Sequence, residues 1–415
     1  MPSGARAEEL LGAEVIAALD AAGPAEVLVG VHALNQARSV VRVVEAVASG
    51  LAKHVARRPA AVVVADAGSR DGSAEAVHAW ADAVPSGPPV RCVRLQGTPS
   101  RGRAILAILA GAHRLGASVC GAVDAGLVGL APEGVERLLR PVLGGEADYV
   151  SPAYSHGMAE GTLTTNLLAP MARALYGGRI QQVVGGCAAL SQGLVDRLLE
   201  ADVWEGDLAE HGIEVWLPLE ALVSGARLVE VHLGRKALDA GAAPPDLSTI
   251  LARTVGPFFR LMERYRAVWP EVRGSAPVAR AGDAPALHAD VGGAQANRMV
   301  HAFRLGLKDL LPVWEQIMPE PTLSRLYPLG LLAPDEFRFP PDLWARVASD
   351  FAVGYHDRRV PRDHLLRALT PLYLGRVAAF LNEVQEAGPA GMAGALEGIG
   401  RAFEAEKETL TSRWR

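Results

Sequence analysis

Several things are scarce in this sequence, and each scarcity excludes something. Only three cysteines, Cys92, Cys120 and Cys187, occur in 415 residues. They are widely spaced and odd in number, which argues against a disulfide framework and for a reducing, cytoplasmic setting. Lysine and arginine total 41 against 46 acidic residues, a net charge of −5. With no basic surplus to neutralise phosphates, nucleic acid is not an expected partner. No apolar run reaches about 18 residues, so no membrane span is expected. The opening MPSGARAEELLGAEVIAALDAAG (1–23) reads as an amphipathic helix carrying acids rather than a signal peptide. Beyond an alanine bias, no internal repeat or low-complexity tract stands out.

What is present is a large apolar inventory. Half of the residues are hydrophobic and 21% are charged, enough for a sizeable core in about two to three domains at roughly 150 residues each. The 44 glycines, with abundant Ala, Arg and Val, read as the bias of a GC-rich genome.

The first 130 residues alternate short β-branched runs with helical stretches. Strands are expected at 25–34 (AEVLVGVHAL), 60–68, 90–96 and 118–126, with helices at about 37–56, 73–84 and 102–116. Strands that are continuously apolar are covered on both faces, and this alternation predicts a parallel sheet with right-handed crossovers. Residues 132–270 are less regular: helices near 132–143 and 162–176, and strand-like stretches at 147–154 and 185–191. A Pro-, Gly- and Ala-rich stretch at 271–295 predicts a flexible linker. The expected organisation is an N-terminal helix (1–24), an α/β domain (25–270), the linker, and a mostly helical extension (296–415), broken at 326–343. That extension is expected to pack across the α/β domain or to form a homodimer interface.

In an open parallel sheet ligands bind at the carboxyl ends of the strands, and four such ends carry chemistry. HALNQ (32–36) ends the first strand with Asn35 and a polar turn. ADAGSRDGS (65–73) ends the second with Asp66 and brings Asp71 to the next helix start. TPSRGRA (98–104) puts Arg101 ahead of a helix N-terminus, suited to phosphate through backbone N–H groups and charge. GAVDAG (121–126) delivers Asp124 to a turn. Each taken singly has a plainer reading: Asp71 and Ser73 as helix caps, Arg101 as a solvated charge, Asp124 as a turn former. Four at the ends of consecutive strands outweigh those readings together.

These stretches carry a resemblance. ALNQ, DAGSRDGS, SRGRA and VDAG resemble the ALNE, D-x-G-S-x-D-x-[ST], G-K-G-x-A and D-x-D elements of A-type, family-2-like glycosyltransferases. YGGRIQQVVGGCAALS (176–191), HGIEVWL (211–217), HLGRKALD (232–239) and LSTILARTVGPFFRLMERYRAVW (247–269) narrow it to the glucosyl- and mannosylglycerate or phosphoglycerate synthases. LTPLYLGRVAAFLNE (369–383) and AFEAEKETLTSRW (402–414) resemble the helical extension of the longer members. The resemblance spans about 25–270 and 296–414. It implies a Rossmann-like nucleotide-diphospho-sugar transferase (GT-A) fold with a helical C-terminal extension. It also implies a UDP- or GDP-hexose donor and a small acidic acceptor such as glycerate or phosphoglycerate.

The resemblance also implies roles. Leu34, Asn35 and Asp66 would contact base and ribose, Arg101 would face the diphosphate, and Glu214 and Asp124 would lie at the reacting centre. Arg179 and Gln181, with Gly185 and Gly186, would receive the acceptor, where an Arg fork suits a carboxylate or phosphate. The implied Mg²⁺ or Mn²⁺ would be held by the last acid of D-x-D and by a histidine further on. Those positions are Gly126 and Leu238 here, and Cys187 stands where an acid commonly follows GG. Asp124 alone is a poor site for a hard cation. His211, His232 or Asp239 are candidate substitutes as ligands, and Arg101, Arg103, Arg235 and Lys236 as replacement charges. Three readings stay open: a retaining hexosyltransferase, a pseudoenzyme that keeps nucleotide-sugar binding, and a doubly wound domain of unrelated chemistry.

Overall fold

The computed structural model describes residues 5–84, 87–157, 160–206, 208–239, 246–282, 287–288 and 293–414. Among these, no helix is long and apolar enough to cross a membrane. Eleven strands are described: β1 Val27–Ala33, β2 Ala60–Asp66, β3 Val90–Arg94, β4 Val119–Asp124, β5 Tyr149–Gly157, β6 Gly178–Arg179, β7 Cys187–Ser191, β8 Leu228–Arg235, β9 Ala276–Pro277, β10 Ala279–Ala281 and β11 Leu287–His288. The main sheet has the order β10-β8-β5-β7-β4-β1-β2-β3. Only β7 runs antiparallel to its neighbours β4 and β5.

The expected parallel sheet is therefore present, and the first four strands fall within two residues of their predicted bounds at each end. The cause is visible in β1 and β4, whose every residue is buried. Helix Val40–His54 lays Val40, Val43, Val44, Val47 and Leu51 into the core beside Val27, Val29 and Val31. Each side chain of this kind, fully buried, is stabilised by about 1.5–3 kcal/mol. Helix Arg101–Arg114 also packs on β1, and only a glycine permits its approach. A Cβ at Gly30 would stand 2.3 Å from Ile108 Cγ1. The N-terminal stretch forms two short helices, Ala5–Leu11 and Ala13–Asp20, because Gly12 takes φ +84° between them.

The chain divides into two compact units: Met1–Ser155, Val184–Pro244 and Val278–Pro285 form the first, and His156–Val183, Pro245–Pro277 and Ala286–Arg415 the second. This division differs from the sequence expectation, which kept 25–270 together. The reason lies in who pairs with whom inside the second unit. Arg173, in helix Ala169–Tyr176, forks onto Glu397 at 2.6 and 3.0 Å and onto Glu404 at 3.0 Å twice. Trp344 Nε1 donates to Asn166 O at 2.6 Å. Helix Leu247–Arg264 packs on helices Pro341–His356 and Arg362–Ala368. The extension is helical as expected, and its last helix, Thr370–Arg413, is interrupted at Gly388 (φ +67°). Where a linker was expected the chain carries β9, β10, β11 and the start of helix Gly293–Asp309. Residues 283–286 and 289–292 of that stretch lie outside the described residues.

Candidate active site

Strand register assembles the site. β1 and β4 are parallel neighbours with His32 opposite Asp124, and β1 pairs with β2 so that Ala33 lies opposite Asp66. β7 begins at Cys187, opposite Val123, and Asp124 N donates to Gly186 O at 2.8 Å. Three parallel strand ends and the start of an antiparallel strand thus share one edge, where doubly wound sheets take their ligands.

Asp124 is the hub. It is 6% exposed, and both of its oxygens are engaged. Oδ1 accepts from Gln36 Nε2 and from Gly126 N, each at 2.7 Å, and Oδ2 accepts from Arg101 Nη1 at 3.0 Å. Burial alone would raise this carboxyl. The charges of His32 and Arg101, with the two hydrogen bonds on Oδ1, outweigh it and hold the group below the usual carboxylate range. Burial also pushes the His32 imidazole down, against the pull of Asp124 and Glu214 and with the help of Arg101.

Arg101 is the first residue of its helix. Ser100 Oγ caps that helix by accepting from Arg103 N at 3.4 Å, and itself donates to Ala209 O at 3.1 Å. Gly102 lets the turn at 208–212 come that close, since a Cβ there would lie 1.7 Å from Ala209 O. The turn leads into helix Ile213–Val223, and Glu214 stands in its first turn, where the helix dipole favours a carboxylate. Glu214 Oε2 is 3.8 Å from the same Arg101 Nη1. Arg101 therefore bridges two acids from different elements.

The loops after β1 and β2 are tied to each other. Asn35 takes φ +55°, a conformation Asn tolerates better than most residues. Its N donates to Ser69 Oγ at 2.8 Å and its Oδ1 accepts from Arg70 N at 2.9 Å. Gln36 N donates to Ser73 Oγ at 2.9 Å, and Leu34 N donates to Gln36 Oε1 at 3.2 Å. Asp66, fully buried, accepts from Ser69 N at 3.0 Å and has Arg94 Nε 3.8 Å from its other oxygen. Asp71 accepts from Ala37 N at 2.9 Å and from Ser73 N at 3.1 Å. It works as a clamp between loops, and the residue preceding helix Ser73–Ala83 is Gly72.

On the other side of Asp124, Gly186 takes φ +76°, and Gly185 has no room for a side chain, since its Cβ would lie 2.4 Å from Pro152 Cγ. Tyr154 donates to Gly185 O at 2.8 Å and lies 3.5 Å from Cys187 Sγ. Burial pushes the Cys187 thiol up to about 11. Lys236 Nζ donates to Val184 O at 3.1 Å, and its burial lowers its pKa against the pull of Glu214, Cys187 and Asp124. A narrow cavity of about 30 Å³, water-sized, is lined by His32, Tyr149, Gly185, Gly186, Cys187 and Glu214 among others. Arg179, in β6, and Gln181 belong to the second unit, where Arg179 Nε donates to Ser275 Oγ at 2.9 Å.

The resemblance implies a divalent cation, so the ligand positions decide whether one fits. Gly126 and Leu238 lie on adjoining strips of chain: Asp239 N donates to Gly126 O at 2.9 Å and Gly129 N to Ala237 O at 3.1 Å. Neither position offers a side-chain ligand atom, and Leu238 is 55% exposed. Among the described residues, His32, Asp124 and Glu214 bring ligand-type atoms within 4.8 Å of one another. Yet Arg101 already lies between the two acids, and Asp124 Oδ1 is spent on Gln36 and Gly126. A cation here would have to expel a guanidinium. The residues present do not fit the metal.

Several substitute groups are placed elsewhere. Arg103 turns away, donating to the carbonyls of Gln96 and Leu10. His232 Nε2 is hydrogen-bonded to Ser155 Oγ at 2.9 Å, and His211 lies 4.0 Å from Glu210. The histidine that reaches the acids is His32, which sequence reasoning passed over. Its signal was a single ionisable residue inside an otherwise apolar strand, one position before the carboxyl end.

No protein-family model and no curated protein matches the chain. It is similar to solved structures of glucosyl-3-phosphoglycerate synthase from Mycobacterium tuberculosis. One, with Mn²⁺, UDP and glucosyl-3-phosphoglycerate, is 23% identical, covering 60% of this chain and 82% of that one, with a TM-score of 0.45. A second, with Mn²⁺, UDP and phosphoglyceric acid, is 22% identical over 60% and 81%, with a TM-score of 0.46. A third, with Mn²⁺, UDP-glucose and phosphoglyceric acid, is 21% identical over 66% and 92%, with a TM-score of 0.42.

Proposed function

We propose that this chain is a glycosyltransferase that moves a hexose, glucose or mannose, from a UDP- or GDP-sugar to glycerate, phosphoglycerate or a similar small hydroxy acid. One observation carries the reading. Asp124, Arg101 and Glu214 converge at the strand ends beside two tied loops whose motifs resemble those of nucleotide-sugar enzymes. The loop of Leu34 and Asn35, supported by Asp66, receives base and ribose. Arg101, with its remaining donors, receives the diphosphate. Glu214 lies at the reacting centre, and Gly185 and Gly186 receive the acid group of the acceptor.

The chemistry asked of these residues is positioning and charge. The bond from the anomeric carbon to the diphosphate oxygen breaks while a bond to the acceptor hydroxyl oxygen forms on the same face. The hydroxyl proton passes to the departing diphosphate, so configuration is retained with no covalent enzyme intermediate. Negative charge grows on the leaving oxygen, and a preorganised guanidinium opposes it without reorganisation. No step is routed through a metal.

A second reading, a nucleotide-sugar-binding protein without turnover, is favoured by the missing ligand atoms at positions 126 and 238. Incubating the full chain with UDP-glucose or GDP-mannose and either glycerate or 3-phosphoglycerate separates the two. Release of nucleoside diphosphate together with a glycosylated acid supports transfer. Nucleotide binding with neither product supports the second reading, and absence of binding removes both.

A further inference from the structure

Gly126 is no vacancy left by a lost carboxylate. A Cβ at that position would stand 2.5 Å from Gln36 Nε2 and 3.1 Å from Asp124 Oδ1. The Gln36 carboxamide occupies the space a second acid would need, and it is anchored from both ends. Its backbone N donates to Ser73 Oγ, its Oε1 accepts from Leu34 N at 3.2 Å, and its Nε2 reaches Asp124 Oδ1 at 2.7 Å. Here every oxygen of Asp124 is satisfied, and the groups that satisfy it come from three separate elements.

The charges follow the same pattern. Asp124 and Glu214 contribute two negative charges, and Arg101, 3.0 and 3.8 Å away, supplies a positive one between them. Half-buried Lys236 is a second basic group within electrostatic range of both acids. Among the described residues the recorded bonds of Arg101 all use Nη1, and its side chain is 42% exposed. A planar guanidinium with unspent donors is suited to phosphate oxygens. A divalent ion placed beside it would meet a fixed positive charge at contact distance.

Resting on the nucleotide-sugar reading above, we infer that this site binds a nucleoside diphosphate without any divalent cation. The Arg101 guanidinium, held between Asp124 and Glu214, supplies the charge that a metal would otherwise bring. The rebuilt group is therefore Gln36, Gly126 and Arg101 acting together on Asp124.

The test is calorimetric titration of the full chain with UDP and with GDP, in EDTA and in Mn²⁺, paired with the electron paramagnetic resonance of Mn²⁺ mixed with the protein. The expected result is an affinity in EDTA within about twofold of that in Mn²⁺, and a Mn²⁺ signal that stays that of the free ion with or without protein. The Arg101→Gln variant should bind nucleotide about tenfold or more weakly in both buffers, with no rescue by Mn²⁺. An affinity that falls about tenfold in EDTA and returns with Mn²⁺ overturns the inference, as does stoichiometric loss of the free Mn²⁺ signal. Should Arg101→Gln fail to fold by circular dichroism, the wild-type comparison in EDTA decides alone. Nucleotide that binds in neither buffer removes the proposed function itself, and so is told apart from a failure of this inference alone.

Discussion

Gln36 and Asp124, 88 residues apart in the chain, meet through a 2.7 Å hydrogen bond from the carboxamide Nε2 to Oδ1. The contact exists because position 126 has no side chain: any Cβ there would fall within 2.5 Å of that nitrogen. Gln36 and Gly126 are thus one feature, and the loop after β1 fixes the rotamer of the hub acid at the end of β4.

Their coupling is measurable in a double-mutant cycle. Gly126→Ala should cost about 1–3 kcal/mol by overpacking against the amide. Gln36→Ala should cost about 1 kcal/mol, since Asp124 Oδ1 keeps only Gly126 N. With the amide gone the added methyl has room, so the double variant should lose clearly less than the sum of the two. Urea midpoints supply all three values. Strict additivity would mean that the two residues do not share the space.

Gly102→Ala tests the approach that brings Glu214 to Arg101. The new methyl would meet Ala209 O, a backbone atom that cannot rotate aside, at 1.7 Å. A loss of about 1–3 kcal/mol or more is expected. Weaker nucleotide binding should accompany it, because the helix of Arg101 and the turn leading to Glu214 must part. A variant with unchanged melting temperature and unchanged UDP affinity would show that the close approach is not needed.

The sheet was legible because burial on both faces writes itself as continuous apolar runs, and VLVGVHA and VCGAVD carry that pattern. The place of Asp124 was legible from the same pattern: it is the first charged residue after the apolar run of β4 and the last residue of that strand. What periodicity cannot state is a partner. His32 looks like a core residue until register sets it opposite Asp124. Gln36 looks like an ordinary turn residue until its amide crosses to the next strand end. The grouping of 156–183 and 245–277 with the C-terminal helices was hidden in the same way. It depends on Arg173 finding Glu397 and Glu404 across 224 and 231 residues.

That Arg173 clamp makes a prediction about acid. The Arg173 guanidinium, hydrogen-bonded to Glu397, holds that carboxyl down at about 2 against a usual 4.5. A depressed carboxylate stabilises the fold above its unfolded pKa, and the contribution fades as pH falls from 4.5 towards 2. Arg173→Gln removes it and should cost about 1–3 kcal/mol near pH 7, a figure discounted because Glu397 is partly exposed. The gap in melting temperature between wild type and variant should therefore be widest near neutral pH and shrink below 4.5. A gap that stays constant or widens in acid would contradict the assignment.

The last prediction concerns Cys187, at the head of β7 and beside the site. Burial raises its thiol to about 11, and burial likewise raises Cys120 to about 12. At pH 8 the thiolate fraction of Cys187 is about one part in a thousand, and that of Cys120 about ten times smaller. Neither thiol is then a nucleophile or a soft metal ligand at neutral pH, which leaves Cys187 as a small apolar wall against Tyr154. Ellman's reagent at pH 8 should leave both unlabelled in the native protein over minutes and should label both at once in guanidinium. Nucleotide should leave that protection unchanged, since the thiol is shut off by packing rather than by the ligand. Rapid labelling of Cys187 in the native state would instead place it among the reactive groups of the site.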